Sequence, residues 1–598
     1  MISKQLINRV NFSIAIALLI IIPIAGGFGS KTVFVPRSLS VNAARELAGW
    51  QREINLYEPD AHYWSLSFTP EYMRNFDNQE LVNYLLAGSR SFNVTGSGVA
   101  GRSKTDILAD YFGLPSDYES TICFSPRITN FVFDIDLYIG LNGVWEGLYF
   151  RMHVPIGHTK WDLKLRENIV DQGIASFPAG YMGPVDIPRS DLASSFMMAM
   201  EGLRLIPEDV EEDDPLVFGN LVEPFTFGDM KEPLEFGKIA GRLIDTKLSD
   251  VQLAFGWNFL LDDWYHFGIN ARSAIPTGTK PSAQYFFEPI IGNAHHWEAG
   301  IGFTGHVDAW ESDIYNLAIS FYLDANITHL FSSKQTRSFE FKNHGPGSRY
   351  MLLEEFGSPS QDLFVDGGTI PTPNQYQSRL VPAINETTFC VDIKVPAQVD
   401  LVFKTSFYRG SMGIDIGYNF WYRSAEKLVC RGELARNLAL KGDAQIYGFT
   451  ATDVPIALSV TQHNATLDSG QGATNFVVGA EYSNANADNP TPAFSGVGQS
   501  LEQLNTTDSA NLAIPQQQVN TSDPAILLTD DDIDNGSALS PHAMTHKFFW
   551  HVDNRWEGYG PMTPFLGIGG EVEFASHAQL KTTGLSQWGF WFKGGLSF

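Results

Sequence analysis

Two short stretches set imidazoles beside carboxylates: His295-His296-Trp297-Glu298 and His306-Val307-Asp308. Hydrolysis would need a nucleophile, a base and an orienting acid on one patch. Serines are abundant and spacing singles none out, so these groups read as polar residues on an internal wall, and no enzymatic activity is expected. Gly96-Ser97-Gly98-Val99-Ala100-Gly101 fits the glycine pattern of dinucleotide loops. That pattern needs a buried strand before it and a helix after it, and Phe92-Asn93-Val94-Thr95 is a poor strand, so a loop is expected. Asp530 to Gly536 begins like a calcium loop, but its glycine falls one place late and the twelfth position is Pro541. An exposed acidic loop is the better account, with loose cation binding the lesser one. No cofactor and no metal centre is expected.

The elements that would position such groups are strands. The chain ends QWGFWFKGGLSF. With period two, Trp588, Phe590, Phe592, Leu596 and Phe598 share one face, while Trp591, Lys593 and Ser597 share the other. The same alternation recurs in segments of about 10 residues, the length a tilted strand needs to cross a bilayer. Phe131, Phe133, Ile135 and Leu137 alternate with Asp134 and Asp136. Leu148, Phe150, Met152 and Val154 alternate with Tyr149, Arg151 and His153. Phe255, Trp257 and Phe259 alternate with Gly256 and Asn258, and Ile414, Ile416 and Tyr418 with Asp415 and Asn419. Clear strands are expected at 62–74, 127–140, 144–156, 249–261, 263–275, 296–309, 313–325, 397–408, 411–423, 473–483, 546–556, 563–575 and 587–598. Short turns at Asn142-Gly143, Asp262-Asp263, Glu311–Asp313 and Arg409-Gly410 alternate with long connections at 76–126, 158–248, 276–295, 326–395 and 484–545.

Export is indicated at the other end. Lys4 and Arg9 precede an apolar run from Phe12 to Ala25, broken by Ser13 and Pro23 and followed by small residues. This reads as a signal peptide over 1–30, the competing membrane anchor being short and carrying a proline. A segment at 31–61 follows, periplasmic or luminal, with an amphipathic helix at Val41–Ile54. Residues 62–598 form the strand-rich remainder. A net charge of −27 argues against nucleic acid as a partner. Three cysteines are too few for a disulfide scaffold, and one pair with an odd thiol stays open.

Two solvents could meet the apolar faces. In a soluble sandwich they pack on a second sheet. In a barrel they meet lipid, which accounts for tryptophans near strand ends (Trp64, Trp145, Trp264, Trp297, Trp310, Trp421, Trp550, Trp556, Trp588) and for the alternation of short turns with long loops. Both termini on one side require an even strand count. Thirteen clear strands plus one from Gly442–Thr450 or Pro455–Gln462 give about fourteen, with twelve to sixteen as the range. The expected fold is thus all-β: a transmembrane antiparallel up-and-down barrel with long extracellular loops.

The signal segment, the amphipathic strands and the aromatic last strand ending in Phe598 resemble Gram-negative outer-membrane β-barrel proteins of the porin kind. The resemblance implies that Trp588, Phe590, Phe592, Leu596 and Phe598 carry the signal read by the barrel-assembly machinery. It also implies outer-membrane lipid as surroundings and small solutes or ions as cargo, and it allows a homo-oligomer. On the face opposite lipid fall the acids Asp134, Asp136, Glu298, Asp308, Asp324, Asp400, Asp415, Glu481, Asp553, Glu571 and Glu573. The bases Arg151, Arg272, Lys404, Arg423, Arg555 and Lys593 fall there too. An excess of acids biases a lumen mildly toward cations. The expected function is passive diffusion of small hydrophilic solutes. A closed structural or adhesive barrel and a hydrophobic-substrate transporter with an N-terminal hatch are the alternatives.

Overall fold

The computed structural model describes residues 31–598 apart from 58–61, 104, 179–180, 184–185, 208–217, 313, 315, 358–359, 366–367, 373–375, 442–446, 450–454, 458–464, 469–525, 557–561 and 577–581. The proposed signal peptide lies outside the described residues.

Twelve antiparallel strands close into a ring. They are β1 (Tyr63–Asn75), β2 (Arg127–Gly140), β3 (Leu148–Asp162), β4 (Val251–Asp262), β5 (Tyr265–Ile275) and β6 (Glu298–Ser312). The circuit continues through β7 (Leu317–Ser338), β8 (Thr388–Arg409), β9 (Met412–Arg423), β10 (Ala543–Arg555), β11 (Thr563–Ala575) and β12 (Gln587–Ser597). Each pairs with its neighbours in the chain, and β12 returns to β1 with Ser597 opposite Ser65 and Trp588 opposite Arg74. Phe598 extends the seam: its backbone exchanges hydrogen bonds with Trp64 at 2.8 and 3.1 Å, and the two rings stack with centroids 3.8 Å apart. The aromatic tail is therefore the strand that closes the barrel.

The ring has twelve strands rather than fourteen. The 473–483 segment lies outside the described residues. The segments suggested as a fourteenth strand contribute Tyr447–Phe449 and Pro455–Ala457, which pair with each other and, among the described residues, with no strand of the ring. Two other strands, Arg242–Leu248 and Lys427–Arg431, lie along β3 and β8 without entering the ring. The count stays even, so both ends of the barrel path fall at one mouth.

Side-chain alternation sorts the two faces. Phe131, Phe133, Phe255, Ile269, Ile301, Leu323, Phe403, Ile416, Phe548, Ile568, Trp588 and Phe592 point outward and are exposed. Among the described residues no second sheet covers them, as a soluble sandwich would require; an apolar belt around the whole circumference is a lipid-facing surface. Trp64, Trp145, Trp264, Trp310 and Trp556 are exposed near the mouth with short turns, and Trp297 near the opposite mouth. Trp421 is different: it is fully buried on the inner face, with the Arg37 and Arg423 guanidiniums over its ring. Its parity along β9 puts it opposite the lipid side.

β7 and β8 have 22 residues each. At about 3.3 Å per residue they run ~73 Å, over twice the ~30 Å hydrocarbon thickness. Their outer halves leave the membrane and join a cap built from the long connections. The cap holds α2 (Asn78–Leu85), started by the Asp77 carboxylate accepting from the Gln79 N–H at 2.8 Å. It also contains small sheets such as Ser91–Thr95 with Glu119–Cys123, and Leu352–Phe356 with Tyr376–Pro382. Its core is apolar: Tyr84, Phe92, Phe196, Phe225, Phe227, Leu353 and Ile384 belong to one buried cluster. All three cysteines are free thiols.

Candidate functional site

Residues 31–56 run the length of the lumen. The start of the segment sits in the cap: the Thr32 N–H donates to the Ser537 carbonyl at 3.0 Å and the Tyr84 hydroxyl to the Val33 carbonyl at 2.7 Å. Its end reaches the opposite mouth, where the Leu56 N–H donates to Tyr63 Oη at 2.8 Å. Every residue from Val41 to Gln51 is buried. The helix expected over Val41–Ile54 is two shorter pieces, α1 (Ala43–Leu47) and a turn at Gln51–Glu53. Gly49 separates them with φ +66°, and a side chain there would overlap the His551 imidazole. A left-handed bend and this close approach together require glycine.

Charges hold the segment. Arg37 pairs with Asp400 at 3.0 Å and Glu573 at 2.9 Å. Arg45, fully buried, pairs with Glu71 at 2.7 Å and Asp134 at 2.8 Å. Glu46 faces Arg272 at 3.6 Å and Arg151 at 3.8 Å. Glu53 pairs with Arg555 at 3.1 Å and accepts from the Ser597 hydroxyl. Uncharged contacts complete the set: the Gly49 N–H donates to Asp415 at 2.8 Å and the Trp50 indole to Ser65 at 2.7 Å.

Eleven of the acids and bases assigned to the inner face touch this segment. Besides those just named, Glu571 accepts from Asn42 at 3.2 Å and Lys593 donates to the Arg45 carbonyl at 2.6 Å. Lys404 donates to the Leu47 carbonyl at 3.4 Å and Arg423 to the Val35 carbonyl at 2.6 Å. The remainder meet wall groups instead. Asp136 accepts from Ser67 at 3.1 Å, Glu298 from Gln398 at 3.4 Å, Asp324 from Arg151 at 3.4 Å and Asp308 from Ser320 at 2.5 Å. Asp553 is buried beside Gly413. Glu481 lies outside the described residues.

Several partners escaped the sequence reading. Glu71 shares the inward parity of Ser65, Ser67 and Thr69, and Lys547, which pairs with Glu571 at 2.7 Å, that of Asp553 and Arg555, so period two could have found both. The alternation did place His153 on the face of Arg151, but not its contact with Asp134. Arg37, Arg45 and Glu46 gave no such signal, because a short segment with no strand partner carries no register.

Two polar pockets of about 260 Å³ each flank Glu46. One is lined by Arg272, Glu298, Gln398 and Asp400, the other by Trp50, Asp136, Arg151 and His153. The cap holds a third pocket of about 400 Å³, lined mainly by Tyr111, Phe112, Met200, Phe225, Phe227, Met230, Tyr350 and Leu352.

The motif candidates resolve locally. Phe92–Thr95 does lie in a strand, contrary to expectation, but the Ser97 N–H and hydroxyl donate to the Asp110 carboxylate at 2.9 and 2.8 Å. An acid thus occupies the place a phosphate would take. Asp530 is held by Arg431 at 2.7 Å, and Asp532 accepts from Thr529. His296 faces the Phe331 carbonyl at 2.7 Å and His306 faces His266, with no serine in line among the described residues.

No protein family and no curated protein matches this sequence. Solved structures of similar shape include the COG4313 outer membrane channel from Pseudomonas putida F1, at 7% identity over 89% of this chain and 95% of that one, TM-score 0.28. A Pseudomonas aeruginosa FadL homologue is similar at 7% identity over 96% and 99%, TM-score 0.25. The Pseudomonas putida toluene transporter TodX is similar at 7% over 96% and 97%, TM-score 0.19. At these scores the likenesses add nothing to what the barrel itself shows. A closed ring, an outward apolar belt and an inward polar face make the chain a transmembrane β-barrel of the outer-membrane type.

Proposed function

We propose that the protein is a gated outer-membrane channel for small hydrophilic solutes, shut by its own N-terminal segment. The observation that carries this is the chemistry of the plug–wall boundary. The segment is held by ion pairs and hydrogen bonds to a wall that is polar around its circumference, so its departure would leave a water-compatible lumen. Three arginines against two glutamates between residues 37 and 53 leave with it. The wall left behind carries more carboxylates than bases, which favours cations mildly.

Planar-bilayer recording tests the reading. The full-length protein should be silent or open only briefly, and a variant lacking 31–56 should conduct steadily with a mild cation preference. A silent deletion variant that still shows the heat-dependent gel shift of a folded barrel would reject it. Equal conductance of the two proteins would reject the segment as gate.

The apolar cap pocket favours a second reading, capture of a hydrophobic solute with the segment as hatch. A fluorescent apolar probe should then bind the purified protein and be lost in Phe225→Ala and Phe112→Ala, while the deletion variant stays poorly conducting.

A further inference from the structure

The pocket beside Trp50 borders a group of side chains that the plug's ion pairs do not use up. Asp134 and Asp136 sit two residues apart on β2, so both point inward, and His153 on β3 stands opposite Asp136 in the ladder. All three are buried. One ligand atom from each falls within 4.8 Å of the others.

Which atoms converge matters more than the clustering. Asp134 Oδ2 is taken by the Arg45 Nε–H at 2.8 Å, and Asp136 Oδ2 by the Ser67 hydroxyl at 3.1 Å. Each carboxylate thereby turns its Oδ1 toward His153 Nε2, at 2.5 Å for Asp134 and 4.0 Å for Asp136. The shorter approach lacks the alignment of a hydrogen bond. Among the described residues, both His153 ring nitrogens and Asp134 Oδ1 are buried with no hydrogen-bond partner. His153, 4% exposed, thus stands against the Asp134 carboxylate with its Nε2 aimed between two carboxylate oxygens, and its Nδ1 lies 3.6 Å from Glu46.

We propose that Asp134 Oδ1, Asp136 Oδ1 and His153 Nε2 bind a divalent transition metal on the lumen wall, and that the N-terminal segment completes the site. One imidazole nitrogen and two carboxylate oxygens are a donor set that zinc accepts at about 2.0–2.2 Å per bond, which sets tetrahedral ligands about 3.4 Å apart, so Asp134 Oδ1 moves out from 2.5 Å and Asp136 Oδ1 in from 4.0 Å as the metal enters. The adjoining pocket borders both Asp136 and His153. Outer groups that orient metal ligands are in place. Arg45 and Ser67 hold the far carboxylate oxygens, and Glu46 Oε1 stands 3.6 Å from His153 Nδ1, where a ligating imidazole presents its N–H. Arg45 and Glu46 belong to the plug, so metal and plug reinforce each other's binding. The site rests on wall geometry and stands whether or not the barrel conducts.

The test uses full-length protein refolded or extracted in detergent, stripped with chelator and titrated with zinc. Metal content after gel filtration and calorimetry should show one zinc per chain. His153→Gln and Asp136→Asn should each weaken binding at least about tenfold, Glu46→Gln by about 10–100-fold. His158→Gln, on the exposed side of β3, should change nothing. Heat-dependent gel mobility checks folding of each variant; should His153→Gln misfold, Asp136→Asn and wild type decide. No stoichiometric zinc on wild type at micromolar metal would overturn the proposal, as would undiminished binding in a folded Asp136→Asn or His153→Gln. In that event His153 is a partner of Asp134 alone.

Discussion

The lumen and the cap lie on one axis, are filled by the same chain, and are filled by opposite chemistry. In the cap, Phe92, Phe196, Phe225 and Leu353 lose water against each other. In the lumen, Arg37, Arg45 and Glu46 meet wall carboxylates and guanidiniums. Apolar burial is non-directional and tolerates small shifts. A buried ion pair adds little net stability over an apolar pair of the same shape, yet it is costly to break from one side. The cap is therefore built to stay assembled, and the plug is built to occupy one position or none. A segment held in a single register by directional pairs fits the gate proposed above.

Three substitutions break or sharpen that contrast. Arg45→Ala strands Glu71 and Asp134 in the wall and should cost about 3–5 kcal/mol of plug docking. Bilayer recordings should show long openings, while the cap keeps its protease resistance. Phe225→Ala, which removes a ring stacked on Phe227 at 5.4 Å, should cost about 3–5 kcal/mol in the cap. Proteolysis of the cap should speed up with the lumen still closed. If Phe225→Ala opens the lumen as readily as Arg45→Ala does, the two regions are one cooperative unit and the contrast fails. Gly49→Ala combines a left-handed backbone with overlap onto His551 and should weaken docking by about 1–3 kcal/mol, seen as brief openings.

The smallest effect tests the polar contacts. Ser65→Ala removes the acceptor of the Trp50 indole at 2.7 Å and should cost about 1 kcal/mol. Its open probability should rise only slightly above wild type, well short of Gly49→Ala. A larger rise would mean that Trp50, rather than the arginines, anchors the plug.

Much of the barrel was legible because period two is local information. Phe131 and Phe133 declare their face without knowledge of any partner, and so does the run from Trp588 to Phe598. Strand ends were less legible: β7 and β8 extend well beyond 313–325 and 397–408, since strand pairing continues above the membrane where alternation no longer separates lipid from water. Of the two strands expected beyond the twelve, 473–483 lies outside the described residues, and the segments offered for the other, Tyr447–Phe449 and Pro455–Ala457, are strands that pair with each other. Trp421 shows that an aromatic near a strand end need not face a membrane boundary; parity overrules position. Among the charges, Asp134, Asp400 and Glu573 could be assigned a face. That their partners are Arg45 and Arg37, 89 and 363 or more residues away in sequence, depends on contacts no local pattern records.

The placement of the N-terminal segment inside the lumen can be tested by one cross-link. Ser40 Oγ lies 3.0 Å from Asp250 Oδ2 at the lumen mouth beneath the cap. With Cys123, Cys390 and Cys430 replaced by serine, Ser40→Cys with Asp250→Cys should oxidise to a disulfide in nearly every folded chain in intact outer membranes, visible as altered gel mobility reversed by reductant. A folded, heat-shifting barrel in which this pair stays reduced would mean the segment does not thread the lumen.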